Sequence, residues 1–503
     1  MKNGRFCINQ RKYRKKQDKQ LINRKMIFRI LGILLFMEAA MFLVCASVSW
    51  YYREKEYIYF IYSILINVGV GGVLLLLGRN APNMVTRRDG YCIVAFTWLL
   101  FTAFGMLPFY LSGEIPSITD AFFETMSGFT TTGATILDDI EALPYGMLFW
   151  RSFTQWIGGL GIVFFTIAVL PIFGVGNQVL FSAEATGVTH DKIHPKISVM
   201  AKWIWTVYLI LTLTLIVLLV WGGMSVFDAV CHSFATTATG GYSTKQDSIA
   251  YWNSPFIEYV TAIFMILSGV NFSLYFMCLK GKCKQLFRDD EFKYYLMSIG
   301  GVTLLITISL VLQNHYGMEV AFRKALFQVA SLHTSCGFAT DDYVKWAPFT
   351  WMLLIYTMLA GGCTGSTGGG IKNMRLLIVI RNIKNEFNRL MHPRAILSVK
   401  VNRQAVSPAT ISTVSTFILF YLICIFVSWT VLMFLGIGLT ESFSLVVSSL
   451  GNVGPGLGAF GPVFSWSALP DVAKWLVSFL MLIGRLELFG ILLMFAPSFW
   501  EKR

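Results

Sequence analysis

The chain has 503 residues, of which 55% are hydrophobic and only 14% are charged, and its mean hydropathy is +0.62. Soluble domains carry about a quarter charged residues, so this composition excludes an ordinary soluble protein and predicts an integral membrane protein that contacts the lipid bilayer. The net charge of +14 does not indicate nucleic acid as a partner, because the basic residues lie between apolar stretches rather than on one soluble face.

A strongly basic segment precedes the first apolar stretch. Residues 1–29 contain eleven Lys or Arg residues and a single acid, Asp18. This composition predicts a solvated cytoplasmic tail whose charge suits contact with anionic lipid.

Apolar stretches long enough to cross a bilayer follow along the rest of the chain. A membrane-spanning helix needs about 20 predominantly apolar residues. We predict ten spans, the eighth of them interrupted: Ile27–Trp50, Tyr57–Leu77, Tyr91–Leu111, Phe149–Phe173, Trp203–Trp221, Phe256–Leu279, Tyr294–Leu312, Phe349–Ile380, Ile411–Leu435 and Val472–Pro497.

The charges of the connections predict the orientation, because Lys and Arg are enriched in cytoplasmic loops. With the N-terminus inside, the inside connections carry the basic residues: Arg79, Arg87, Arg88, Lys192, Lys196, Lys202, Lys280, Lys282, Lys284, Arg288, Arg381, Lys384, Arg389, Arg394, Lys400 and Arg403. The outside connections carry acids: Glu114, Asp120, Asp138, Asp139, Glu141, Asp247, Asp341 and Asp342. We therefore expect a multi-pass protein of the cell (inner) membrane with both termini cytoplasmic.

Four outside connections, those after spans three, five, seven and nine, contain an apolar stretch of about 9 residues, which is too short to cross the membrane. These stretches are Ala121–Phe129, Phe227–Ala235, Ala325–Leu332 and Ser442–Leu450. Each is followed by a glycine-rich loop and then by the next span. The pattern predicts an all-α polytopic membrane protein with a fourfold pseudo-repeat of span, re-entrant pore helix, filter loop and span, plus two N-terminal spans.

This repeat divides the chain into six segments. They are the basic tail at 1–29, two extra spans at 30–90, and pore repeats at 91–175, 200–280, 293–391 and 409–500. The glycine that follows each half-helix recurs about every 100 residues, which supports the division. These glycines are Gly133, Gly240, Gly337 and Gly454.

The four loops after the half-helices share the form x-x-Gly-x-x. Irregular backbone at membrane depth survives only where it is buried in protein or lines a water-filled cavity. Backbone carbonyls from a ring of four loops can replace the hydration shell of a cation, and glycine permits the dihedral angles that such loops need. The alternative, four ordinary extracellular turns, is disfavoured because all four loops follow a half-helix at corresponding positions between two spans. The predicted cation ligands are Thr131, Thr132, Gly133, Ala238, Thr239, Gly240, Ser335, Cys336, Gly337, Asn452, Val453 and Gly454.

The same loops carry a resemblance to a known family. The stretches are Ser-Gly-Phe-Thr-Thr-Thr-Gly-Ala-Thr at 127–135, Ala-Thr-Gly-Gly-Tyr-Ser-Thr at 238–244, Thr-Ser-Cys-Gly-Phe at 334–338 and Gly-Asn-Val-Gly-Pro-Gly at 451–456. They resemble the pore loops of the Trk/Ktr/HKT superfamily of potassium transporters. The resemblance covers about residues 30–500, and the two extra N-terminal spans favour the Trk-type membrane (pore) subunit.

The resemblance implies a pseudo-fourfold pore within one chain, potassium uptake, a homodimer, and a cytosolic ring of nucleotide-binding regulatory subunits. It implies K⁺ as the transported ion and no organic cofactor in this chain. In plant relatives a serine at the first filter glycine accompanies sodium transport, so Gly133 favours potassium. Cys336 stands where relatives often have threonine, but the expected ligand is the backbone carbonyl rather than the side chain.

A second glycine-rich stretch, the intramembrane loop at 361–370, interrupts the eighth span. It resembles a phosphate-binding loop, but Ile371 separates Gly370 from Lys372, so the required Gly-Lys-Ser/Thr is missing. Each glycine in a helix costs about 1 kcal/mol relative to alanine, so the stretch cannot stay helical. Related transporters use such a loop as a gate; the alternative is a packing break. The predicted gating residues are Gly361, Gly362, Gly365, Gly368, Gly369, Gly370, Lys372 and Arg485.

Charges inside the last span support the gating hypothesis. Arg485 and Glu487 are two residues apart, so they do not face each other on a helix and each needs another partner. The resemblance places the arginine near the intramembrane loop; the alternative is a structural ion pair with a neighbouring helix. Two further acids, Asp120 and Glu124, either concentrate cations at the outer mouth or are simply solvated surface charges.

Two other classes of membrane protein fit less well. A secondary transporter with broken helices expects twofold inverted repeats, whereas these four repeats share one orientation. A membrane-embedded enzyme expects clusters of His, Asp or Glu within the spans, and few are present. We therefore expect no enzyme activity. The remaining alternative is a proton- or sodium-coupled cation symporter with the same pore.

Overall fold

The computed structural model of the chain describes residues 22–82, 86–161, 197–395 and 397–501. Within these ranges the regular structure is helical apart from one antiparallel hairpin, β1 (Lys400–Val401) and β2 (Gln404–Ala405). The helices up to residue 280 are α1 (Arg24–Tyr51), α2 (Tyr57–Leu77), α3 (Arg87–Gly105), α4 (Leu107–Ser112), α5 (Ile118–Phe129), α6 (Tyr145–Gly159), α7 (Ile197–Trp221), α8 (Val226–Ala238), α9 (Pro255–Ser268) and α10 (Phe272–Leu279). Those that follow are α11 (Asp290–Gln313), α12 (Met318–His333), α13 (Pro348–Ala360), α14 (Asn373–Met391), α15 (Pro408–Phe434), α16 (Leu439–Gly451), α17 (Asp471–Arg485), α18 (Phe489–Leu492) and α19 (Pro497–Trp500).

Eight of the ten predicted spans have a counterpart of suitable length and composition. In the described ranges, six helices are long and apolar enough to cross a membrane, and up to eight if two bent helix pairs each count as one span. The fourth predicted span begins in α6, and the interrupted eighth span corresponds to α13 and α14. Residues 162–173 of the fourth span, residues 1–21 of the basic tail, and Lys192 and Lys196 lie outside the described residues.

Two predicted spans are bent where a continuous helix was expected. The α9–α10 pair bends by 94°, and α17 bends by 103° against the segment Phe489–Phe495. In the first break the Asn271 side chain accepts from Ser273 N at 2.9 Å. Phe272 N donates to Gly365 O at 3.1 Å, so the interrupted backbone finds a partner in the intramembrane loop. In the second break Glu487 and Leu488 have positive φ, which ends a right-handed helix.

Four helices of similar length, α6, α9, α13 and α17, follow the four loop regions. They contain 15, 14, 13 and 15 residues. Each starts at or directly after a proline, which suits a helix start because its missing N–H would have no intrahelical partner there. These prolines are Pro144, Pro255, Pro348 and Pro470.

Four further short helices, α5, α8, α12 and α16, correspond to the predicted half-helices and contain 12, 13, 16 and 13 residues. Each has an acidic residue in its first turn, where a negative charge is favourable beside the positive end of the helix dipole. These acids are Asp120, Asp228, Glu319 and Glu441. The short helices pack against helices that follow the loop regions: α5 and α8 contact α6, α12 contacts α9, and α16 contacts α17.

The outer layer consists of helices with large exposed apolar faces. In their most apolar windows α2, α7 and α15 are only 22%, 28% and 28% buried, compared with 67% for α1. Such faces fit contact with lipid. The core between the layers contains large, fully buried side chains, among them Trp98, Trp150 and Trp466. The short helices and the loops that follow them are thereby enclosed by protein.

Candidate functional site

Each short helix ends in the same backbone conformation. Its C-terminal loop contains a residue with φ between 52° and 59°, in the left-handed region. Two positions later comes a glycine with φ between 79° and 103°. Only glycine adopts such angles without strain, so the repeated conformation explains the repeated glycine. The left-handed residues are Thr131, Thr239, Ser335 and Asn452, and the glycines are Gly133, Gly241, Gly337 and Gly454.

This correspondence corrects the predicted frame of the second loop. The sequence offers two consecutive glycines, and Gly240 was wrongly matched to the other three; Gly241 occupies the equivalent position. Ala238 is the last residue of α8, and Thr239 is the left-handed residue that follows it. We therefore define ring loops 1 to 4 as residues 131–133, 239–241, 335–337 and 452–454. The equivalent glycine is the one that needs a positive φ, and the sequence alone does not reveal which of the two that is.

The four ring loops contact one another in cyclic order. A Cβ atom added to any of the four equivalent glycines would lie within 3.0 Å of a carbonyl oxygen of the next loop. The contacts are Gly133 with Gly240 O, Gly241 with Cys336 O, Gly337 with Val453 O, and Gly454 with Thr132 O. The last contact returns to the first loop, so the loops form a closed ring with one backbone carbonyl at each junction.

Side chains behind the ring hold the loops in position. Gln155 donates from Nε2 to Gly240 O at 2.7 Å and accepts from Tyr242 N at 3.0 Å. Asn452 donates from Nδ2 to Thr132 Oγ1 at 3.1 Å and to Met481 O at 2.8 Å, which joins loop 4 to loop 1 and to α17. These contacts are invisible in the sequence, because the partners are up to 320 residues apart.

Two acids assigned to the outer mouth from the sequence have other surroundings. The carboxylate of Glu124 is buried and pairs with Arg151 at 2.9 Å. Asp120 pairs with Lys474 at 2.6 Å. For Glu124 the expectation of a solvated charge or a cation-attracting charge was wrong, since helix α6 brings a guanidinium against it. No feature of the local sequence marks Glu124 and Arg151 as partners.

The intramembrane loop lies against the ends of the short helices. Gly369 N donates to Ser335 Oγ at 2.6 Å, beside ring loop 3. Thr367 Oγ1 is 3.3 Å from Thr239 Oγ1 and donates to Thr237 O at 3.3 Å, at the end of α8. The loop therefore contacts two of the four loop regions directly. A Cβ on Gly369 would collide with the Gly451 carbonyl at the end of α16, which adds a third.

Arg485 and Lys372 both donate to this loop. Arg485 donates from Nη1 to Thr367 O at 2.7 Å, and from Nη2 to the carbonyls of Gly158 and, at 2.7 Å, Gly159. It therefore joins the intramembrane loop to the end of α6, a contact with the loop that the sequence predicts. Lys372 Nζ donates to Gly368 O, within the loop itself. Glu487 pairs with Arg375 of α14, so the two charges of the last span have separate partners.

Sequence reasoning missed a buried acid that supports the loop from the other side. Glu291, in the first turn of α11, accepts from Thr364 N at 2.6 Å and from Met374 N at 3.0 Å through the same Oε1 atom. Its side chain thus joins the start of the loop to the first turn of α14, whose own N-cap makes no side-chain hydrogen bond. In the sequence Glu291 sits in an Asp-Asp-Glu run that resembles ordinary helix capping.

Comparisons with known proteins agree with this architecture. The model of the family described as TrkH, cation transport protein, matches residues 58–502. The Trk system potassium uptake protein TrkH of Escherichia coli strain K12 is 37% identical over 481 residues, which are 95% of this chain and 99% of that protein. The Trk system potassium uptake protein TrkI of Halomonas elongata is 31% identical over 478 residues, 95% of this chain and 97% of that protein.

A solved structure supports the fold directly. The crystal structure of the potassium transporter TrkH from Vibrio parahaemolyticus superimposes with a TM-score of 0.85 at 34% identity, covering 95% of this chain and 99% of that one. Family match, sequence relatives and structural neighbour all extend over nearly the whole length. The chain belongs to the TrkH family of cation transport proteins.

Proposed function

We propose that this protein takes up potassium across the cell membrane through the centre of the four ring loops. The observation that carries the proposal is the closed ring, in which each equivalent glycine leaves space only for a carbonyl oxygen of the next loop. A cation that loses water needs several oxygens held at fixed positions, and backbone carbonyls supply them. The Trk system potassium uptake proteins related to this chain support potassium as the cargo.

The proposed ligands are backbone carbonyls of the ring loops, with loop 2 in its corrected frame. The four short helices end at the ring, so the partly negative ends of their dipoles stabilise a cation there. The chain belongs to a transporter family and not to an enzyme family. Potassium is accordingly the proposed transported ion, and no organic cofactor is assigned to this chain.

The intramembrane loop is the proposed gate. It contacts the ends of α8 and α16 and ring loop 3, and it is held by Arg485 and Glu291. A loop of six glycines in ten residues has little preference for one conformation, so these tethers define its position. The positive charges of Arg485 and Lys372 add an electrostatic barrier to cations while the loop is held.

The proposed assembly is a homodimer whose chains each contain a complete pore, bound on the cytosolic side by a ring of nucleotide-binding subunits. The word "system" in the names of the relatives agrees with additional subunits. The proposed orientation has both termini cytoplasmic, because the basic connections are then on the inside.

Flux into liposomes that contain the purified chain tests the proposal. We expect ⁸⁶Rb⁺ uptake driven by an outward K⁺ gradient, competed by external K⁺ much more strongly than by Na⁺. Imposing Na⁺ or H⁺ gradients separates the alternative, a coupled symporter, from a channel: only the symporter uses these gradients to accumulate Rb⁺ against the electrochemical gradient of Rb⁺. Absence of selective uptake by a folded, inserted protein would contradict the proposed function.

A further inference from the structure

A charged pair lies fully buried beside ring loops 1 and 2. Arg151 Nε and Glu124 Oε1 are 2.9 Å apart, and the two side chains are 1% and 0% exposed. Burying two charges is costly unless hydrogen bonds satisfy their remaining donors and acceptors. The contacts that satisfy this pair therefore indicate what it holds in place.

The carboxylate of Glu124 fixes the segment that follows ring loop 1. It accepts from Ile136 N at 3.0 Å and from Thr135 Oγ1 at 3.0 Å. Thr135 comes two residues after Gly133, so the carboxylate determines where loop 1 continues on the outer side of the ring.

The guanidinium of Arg151 fixes the corresponding segment of ring loop 2. It donates from Nη1 to Ser243 O at 3.1 Å, two residues after Gly241. It also lies 4.1 Å from the centre of the Tyr242 ring, and Tyr242 Oη donates to Glu124 O at 2.6 Å. One ion pair thus joins the segments that follow the two loops, at corresponding positions two residues after Gly133 and Gly241.

We propose that Arg151 and Glu124 are positioning residues that set ion selectivity by fixing the separation of ring loops 1 and 2. The inference rests on the proposed filter. Gly133 is already in contact with Gly240 O, so a small displacement between the loops changes the carbonyl cage around the ion. Interiors that are packed this closely transmit such displacements instead of absorbing them.

Support of the other loops is distributed differently. Near loop 3, Lys324 Nζ donates to Thr340 O at 2.7 Å and pairs with Glu258. Near loop 4, neutral groups take this role: Tyr343 Oη donates to Gly456 O at 2.7 Å. The Arg151–Glu124 pair differs from both, because its hydrogen bonds reach the segments that follow two ring loops at once.

Three variants test the proposal: Glu124→Gln, Arg151→Lys, and the double variant Glu124→Gln with Arg151→Met. In liposomes, Rb⁺ flux and the preference for Rb⁺ over Na⁺ are measured for protein with a wild-type elution profile. We expect total flux to persist and the preference to fall about tenfold, the change expected from losing one charge-assisted hydrogen bond. The double variant removes the unpaired buried charge, and its preference should stay low because the bridge between the loops is still missing.

A neighbouring ion pair provides the matched control. Asp120 and Lys474 join α5 to α17 one helical turn before Glu124, and the hydrogen bond between them involves neither ring loop. The double variant Asp120→Asn with Lys474→Met should keep the wild-type ion preference. Tyr242→Phe removes the hydroxyl that donates to Glu124 O at 2.6 Å and to Ala134 O at 3.4 Å, and leaves the ion pair in place. It should shift the preference in the same direction, but less, and it tests the proposal if the charge variants do not fold.

The outcomes separate this proposal from the filter assignment itself. A wild-type preference in every folded Arg151, Glu124 and Tyr242 variant, with reduced preference in Gly133→Ser, overturns the positioning role and leaves the filter intact. A wild-type preference in Gly133→Ser as well overturns both. A reduction that also appears in the control pair shows a general packing effect and equally overturns the positioning role.

Discussion

The equivalent glycines of the ring have neither the space nor the dihedral angles for a side chain. Gly133 has φ +82°, and a Cβ there would overlap the carbonyl oxygen of Gly240. A non-glycine residue in the left-handed region costs about 1–2 kcal/mol, and the displaced carbonyl is a proposed ligand. At the scale of single residues, selectivity should therefore depend on the absence of a side chain at each of these glycines.

Gly133→Ser should lower the preference for K⁺ over Na⁺ about tenfold, because about 1.4 kcal/mol of lost discrimination corresponds to that factor. Gly241→Ser should act in the same direction, since it occupies the equivalent position in loop 2. Competition of ⁸⁶Rb⁺ uptake by Na⁺ measures both variants.

Gly113 supplies the control for that substitution. It has φ +81° but nothing within 4 Å of a built Cβ, so Gly113→Ser imposes similar backbone strain away from the ring. Its ion preference should equal that of the wild type. Equal preferences in all three variants would show that the ring glycines do not contribute to selectivity.

Arg485 is a single residue whose loss should change conductance without changing selectivity. Its guanidinium donates to Thr367 O of the intramembrane loop and to carbonyls at the end of α6. Removing hydrogen bonds from a charged group costs about 1.5–3 kcal/mol, so Arg485→Ala should raise basal flux roughly tenfold. Rb⁺ uptake without any added cytosolic partner measures this. Wild-type basal flux in the folded variant would contradict a tether role for Arg485.

At the scale of elements, the intramembrane loop is held from both sides. Thr364 is bound by Glu291 and Thr367 by Arg485, so residues 364–368 contain the attachment points. Deleting these five residues should raise basal K⁺ flux by about as much as Arg485→Ala, or more, because both tethers are lost. The preference for K⁺ over Na⁺ should not change, since the ring loops are separate elements.

Basal Rb⁺ uptake and Na⁺ competition, measured on the same liposomes, check both parts of that prediction. Correct insertion has to be verified from the fraction of protein that protease reaches on each side. A correctly inserted deletion variant with wild-type flux would contradict the gate and support the alternative, that the loop is only a packing break.

At the scale of the whole molecule, all four ring loops belong to one chain, so the proposed pore needs no partner. We nevertheless predict a homodimer, on the basis of the family resemblance. Mass measurement in lipid nanodiscs should give twice the mass of the chain, 56.6 kDa each. A uniform monomer in lipid would refute the dimer.

The same assembly predicts independent pores. In dimers that combine one wild-type chain and one Gly133→Ser chain, about half of the flux should keep the wild-type preference for K⁺. A preference that changes completely with one altered chain would instead indicate a pore shared between the two subunits.

The membrane class, most of the spans and the positions of the short helices could be predicted from the sequence by itself. Each rests on a local property: the length of an apolar stretch, or a half-length stretch followed by glycine. These properties are sufficient because a bilayer requires every backbone group to be satisfied within the segment or by buried protein. The proposed gate was found in the same way, since its glycines cannot remain helical.

Features that depend on which residues meet in space could not be predicted from the sequence and came from the folded structure. It identified Gly241 rather than Gly240 as the equivalent glycine, because the requirement is a positive φ and contact with Cys336 O of the next loop. It also revealed the bend between α9 and α10, where the backbone N–H of Phe272 donates to the distant Gly365 O. The burial of Glu124 against Arg151 has the same origin: a charge is solvated or paired according to what packs against it, and that partner lies on another helix.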